Sequence, residues 1–148
     1  MDAQTVLEEL TEDDLTVEHV RRRVDDWADR TEQFYTTVEE WLPAGWTARR
    51  GAHGIMNEEL MRKVGVPARD LPTLDLLHDG MAEVNLRPYG LWIIGTNGRI
   101  NLVKGHDIYL ILDYAKTFEP PNWHIAAATE RQTSRPFDRG QFDALLAA

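Results

Sequence analysis

Asp113, His124 and Arg99 are the residues of this chain whose types would do the sharpest chemistry if they met: a carboxylate base, an imidazole proton carrier and a cation to steady developing negative charge. All three fall at or near the ends of stretches that read as strands, so a sheet could assemble an acid–base site from them. Other routes to catalysis fail on spacing. The five His (His19, His53, His78, His106, His124) include no His-x-x-x-His pair, and the chain has no Cys, so zinc has neither thiolates nor a helical histidine pair. Gly95, Gly98 and Gly105 precede no helix start, which removes a phosphate-cradling loop. Ser134 is the one serine and lies in a polar stretch without a nucleophile elbow. No catalytic, cofactor-binding or metal-binding residue is assigned on this basis, and the chain points away from an enzyme.

Whatever site exists must be positioned by residues 17–41. Val17, Val20, Val24, Trp27, Thr31, Phe34, Val38 and Trp41 recur at alternating steps of three and four, so only Thr31 interrupts an apolar seam of helical period. A strand cannot use that spacing. At about 1.5 Å per residue the helix is about 37 Å long, while a compact chain of this size has a radius of gyration of about 15 Å, so it crosses the domain. Thr11 with Asp14, or Thr16 itself, can cap its start, and Pro43, Ala44 and Gly45 stop it. Ala28, Tyr35 and Leu42 widen the seam into a stripe suited to lying on a sheet. Residues 1–15 are weakly amphipathic and are expected to fray.

The charge is as localised as the seam. Of the formal net charge of −9, all falls in residues 1–42, where thirteen Asp and Glu face four Arg; residues 43–148 balance at twelve each. Such a field repels nucleic acid and anionic membranes and draws a basic surface toward it. Absence of Cys suits a reducing compartment, the Met-Asp-Ala-Gln start lacks the features of a secretory signal, and no apolar run approaches a membrane span. A cytoplasmic protein without membrane association is the expectation. Thirteen Arg against three Lys, with a single Ser, read as the coding bias of a bacterium or its phage.

The second half changes period. Leu91-Trp92-Ile93-Ile94-Gly95, Asn97-Gly98 and Arg99-Ile100-Asn101-Leu102-Val103 predict a hairpin on a type I′ turn, with Ile93 opposite Leu102. Gly105-His106 predicts the next hairpin, pairing Lys104 with Asp107 and Val103 with Ile108, and residues 108–113 the third strand. Residues 73–77, 83–87 and 123–127 are further strand candidates. Residues 46–53 read as a loop carrying the locally basic Arg49 and Arg50. Short helices are expected near residues 58–64, capped by Asn57, and 138–147, where Asp138 with Gln141 forms a capping box and Phe137 with Phe142 a staple.

Together these features predict a single α+β domain spanning 1–148: a long acidic helix over 16–42, packed on a sheet-containing body at 43–148 whose mainly antiparallel sheet has four or five strands. Two features point to recognition of another protein. One is the aromatic weight of the seam at Trp27, Phe34 and Trp41; the other is the stiff elbow of Phe118, Pro120, Pro121 and Trp123, which presents apolar surface at little entropic cost. The functional expectation is a small acidic protein-binding module that inhibits, neutralises or assembles a larger partner, of the immunity, antitoxin or phage-inhibitor type. A homodimer joined through the 17–41 seam and an enzyme with an acid–base site on the sheet are the rivals.

Overall fold

The computed structural model describes residues 15–148, apart from the side chains of residues 52 and 53; the expectation of fraying at 1–14 lies outside the described residues. The predicted rod is helix α1, Val17–Trp41, unbroken along its length, with the Thr16 hydroxyl accepting from the His19 amide at 3.2 Å. Val20, Val24, Trp27, Thr31, Phe34 and Val38 are all buried, so the seam is spent inside the chain.

What it lies against is a seven-stranded antiparallel meander in chain order: β1 (Trp46–Met56), β2 (Arg69–His78), β3 (Met81–Gly90), β4 (Arg99–Lys104), β5 (Asp107–Asp113), β6 (Trp123–Ala127) and β7 (Arg135–Pro136). Helix α2 (Glu59–Val64) interrupts the run after β1, and α3 (Arg139–Ala147) closes the chain. The architecture is α+β as expected, but four or five strands is too few. The largest omission is β1. Residues 46–53 lack apolar alternation because they sit at the sheet's edge, where charge guards an unpaired ladder: Arg50 reaches Glu32 and Glu39 of α1, both at 2.8 Å, and Arg49 reaches Asp75. The basic cluster is thus divided, Arg50 going to the acidic helix and Arg49 to the neighbouring strand.

Register decides what faces α1. Leu74, Leu86, Leu102 and Tyr109 stand opposite one another across β2 to β5, and Ile100, Ile111 and Ile125 form a second row across β4 to β6. These rows and the α1 stripe make one core, to which Phe137, Phe142, Leu145 and Leu146 contribute. Each such side chain fully buried stabilises the fold by about 1.5–3 kcal/mol before the entropy of ordering it is counted. The far face is mixed, with Asp75, Asn85, Arg87 and Asn101 beside buried Leu110, Leu112 and Ala126.

The Asn97-Gly98 hairpin does not form. The predicted strand at 91–95 is a loop, and β4 pairs instead with β3, Gly90 opposite Arg99 and Leu86 opposite Leu102. Asn97 and Gly98 bond to β5, the Asn97 amide to the Asp113 carbonyl at 2.7 Å and the Asp113 amide to the Gly98 carbonyl at 3.1 Å. Gly98 is needed for space: its φ is +117°, and a Cβ there would overlap the benzo edge of Trp27. A local turn signal is overridden because the same dipeptide is the seat of the fully buried tryptophan of α1. The Gly105-His106 hairpin forms with the predicted register.

The helices' ends are held as their sequences suggest, with one exception. Asp138 accepts from the Gln141 amide at 2.9 Å, and Phe137 and Phe142 meet edge to face. Lys104 of β4 caps the other end of α3 by donating to the carbonyls of Leu145, Leu146 and Ala148. At α2 the cap is Glu58 in place of Asn57, and its side chain makes no capping bond because it is engaged elsewhere.

A fork opens between β2 and β3. Their pairing stops at Leu74 opposite Leu86, although β2 begins at Arg69 and β3 runs to Gly90. Two residues further along that register, Pro72 would stand opposite Pro88. Neither has an N–H, so no ladder bond can form there and the strands part, one staying with β1 and the other with β4. Tyr35 fills the apex, its hydroxyl donating to the Pro72 carbonyl at 3.0 Å and lying 3.5 Å from that of Leu86. Burial raises the Tyr35 pKa well above the ordinary phenol range.

Candidate functional site: an aromatic groove and its elbow

Four of the residues nominated from sequence converge. Phe34 and Trp41 on α1, Pro121 on the elbow and Trp123 at the start of β6 line a groove of about 210 Å³, completed by Gln33, Thr37 and Phe137. The helical period puts Gln33, Thr37 and Trp41 on one edge of α1, because they recur at steps of four. The meander brings β6 beneath that edge. Phe34 packs on Trp123 at 4.9 Å between ring centroids and on Phe137 at 5.6 Å, and Trp41 meets Phe137 at 5.8 Å and Phe142 at 6.0 Å. Phe34 is buried in the floor, whereas Trp41 and Trp123 are half-buried and Pro120 and Pro121 are exposed.

Trp27 and Phe118 lie apart from the groove. Trp27 is fully buried below it, 6.2 Å from Trp123, and is a core residue. Phe118 is 37% exposed and has a φ of +66°, rare for a bulky side chain. It turns toward the start of α1, with Arg22 over its ring at 4.3 Å and His19 edge-on at 5.7 Å.

A buried charge network missed by sequence reasoning shapes the elbow. Arg30 and Asp113 are almost wholly buried and bond at 2.8 Å, although 83 residues separate them. Arg30 also bonds to Asp26 at 2.6 Å and donates to the Glu119 carbonyl. The other oxygen of Asp113 accepts from the amides of Ala115 at 2.9 Å and Asn122 at 2.8 Å, drawing the two ends of the loop together. Such a network is costly to desolvate and is stable only because its donors and acceptors are matched. Its chemical role is to pre-organise Pro120 and Pro121. The one signal in sequence was Arg30 spaced four residues after Asp26, which reads equally as helix decoration.

The acid–base trio is not assembled. Asp113 has the parity of Ile111 and faces α1, whereas Arg99, Leu112 and His124 form a row on the opposite face of the sheet. The Arg99 guanidinium lies 3.9 Å from the Tyr89 ring centre and donates to Asn101, and partial burial lowers its pKa. His124 packs against Tyr114 at 4.8 Å. Among the described residues no group of three His, Asp or Glu side chains is placed to hold a metal ion, and no helix is long and apolar enough to cross a membrane.

Fold and groove together define the class of molecule: a long helix laid on an antiparallel meander, with an aromatic slot at one edge of that helix. The chain matches no family model, no curated protein and no solved structure.

Proposed function

We propose that the chain is a protein-binding module whose groove accepts an apolar anchor from a basic surface of a larger partner, which it inhibits, neutralises or assembles. The observation that carries this reading is the convergence of Phe34, Trp41, Pro121 and Trp123 on one slot. Half-buried tryptophans beside a pre-organised proline edge are the composition of an interface centre. Charge supports the basic partner. Asp29 lies one turn before Gln33 and Glu40 one turn after Thr37, and both are exposed, as is Glu119 two residues before Pro121. With the seam buried from Val20 to Val38, α1 has little apolar surface for a second copy, which favours the groove over a seam dimer.

The test is affinity purification from the source cell followed by quantitative binding with the isolated partner. Thr37→Arg and Trp41→Ala are chosen because both positions are only half-buried. Each should weaken binding, Trp41→Ala by about 2 kcal/mol or more, while an exposed substitution away from the slot, Ile55→Ala, leaves it unchanged. A partner that binds Thr37→Arg and Trp41→Ala as tightly as the parent chain would falsify the groove as the contact.

A further inference from the structure

A second cavity lies at the fork between β2 and β3, away from the groove. It measures about 410 Å³, with Trp27 at its base, Met56, Leu71 and Pro88 as apolar wall, Glu58 within it, and Arg87 and Tyr89 exposed at its rim.

Its polar chemistry is weighted toward acceptors. Pro88 brings a carbonyl but no N–H group to its wall. The Leu86 carbonyl lies on the fork side, where Tyr35 reaches it, and that of Pro88, two residues along the same strand, points the same way. Glu58 adds a carboxylate. Oε1 accepts from the Leu91 and Trp92 amides, both at 3.2 Å, and Oε2 from Leu91 at 3.0 Å. A carboxylate has about four acceptor positions, so capacity remains on the cavity side. Burial raises its pKa above the ordinary carboxylate range, and Arg23, the cation that acts on it, has the smallest of the effects.

We infer that this cleft binds an organic ammonium group, its N–H donors on the Glu58 carboxylate and the Pro88 carbonyl and its hydrocarbon stem against Met56, Leu71 and Pro88. Arg87 at the rim opposes the ligand as a like charge and limits its affinity. The ammonium belongs either to a free amine or to a lysine side chain of another protein; the chemistry is the same.

The experiment is a titration of the full chain followed by ¹H–¹⁵N correlation spectra, with the Leu91 and Trp92 amides and the Trp27 indole N–H as reporters. Benzylammonium represents the free amine, Nα-acetyl-lysine amide the side chain, and benzyl alcohol the uncharged control. Saturable shifts are expected from one or both ammonium probes and none from the alcohol. A response to benzylammonium alone marks a free-amine site, and a response to the lysine derivative alone marks a protein partner. Glu58→Gln should weaken binding about tenfold, and Arg87→Gln should tighten it. Ile55→Lys, at a lining position that is 73% exposed, supplies a competing ammonium and should also weaken it; this variant decides the matter if Glu58→Gln fails to fold. Trp41→Ala should leave it unchanged, which separates this site from the groove. The inference is overturned if neither ammonium saturates at millimolar concentration, if benzyl alcohol moves the reporters as far, or if Ile55→Lys binds as the parent chain does.

Discussion

The fork between β2 and β3 and the loop between β5 and β6 both interrupt a regular meander, one by a deficit and the other by a surplus. At the fork two prolines remove the donors that a ladder needs, and the gap is bridged by one neutral hydroxyl, that of Tyr35. At the loop two opposite charges are buried beyond what a sheet needs, and the backbone folds around them to satisfy every oxygen of Asp113. The first device leaves space with acceptors facing it; the second leaves a rigid ridge. A cavity and a protrusion follow from how backbone hydrogen bonds are withheld or supplied.

The comparison breaks most visibly at Arg30. Arg30→Ala leaves Asp113 buried without its counter-ion and should cost about 3–5 kcal/mol in denaturant unfolding. Hydrogen exchange at Ala115 and Asn122 should accelerate while Leu91 and Trp92 keep their protection, since only the loop depends on that charge. Tyr35→Phe reverses the pattern at smaller cost. The Pro72 carbonyl loses its donor, for about 1–3 kcal/mol, and the loosened amides should be those around the fork. If either variant loosens both regions equally, the two devices are not independent.

The smallest effect concerns pH. Because burial raises the Glu58 pKa, its contribution to stability is fully present below the ordinary carboxylate range and is lost as pH rises through the raised value. Glu58→Gln removes this dependence, so the melting temperature of the parent minus that of the variant should fall from pH 4 to pH 7. A difference that rises over that range would reverse the sign assigned to Glu58.

Legibility in the sequence followed the range of the interactions. The seam of α1, the Gly105-His106 hairpin and the Asp138 cap each depend on residues within a few positions, and each formed. Strand β1 was hidden because an edge strand carries guarding charge in place of alternation. The groove was half visible: its aromatics and prolines were nominated one by one, but Phe137 and the acidic rim join them only through the meander. Trp27, spaced like Phe34 and Trp41, went to the core because Gly98 makes room for its ring.

By itself the amino-acid order determined the helix, its acidic exterior, most strands and both short helices, since backbone preference and hydrophobic period are properties of neighbouring residues. Tertiary structure alone decided that Pro72 and Pro88 would fall at one register and part their strands, that Arg30 would find Asp113, and that Asn97-Gly98 would seat a tryptophan and not turn a hairpin. Those outcomes depend on register and on how a 25-residue rod lies across seven strands. Both are set by the packing of the whole core, and no short window of sequence contains them.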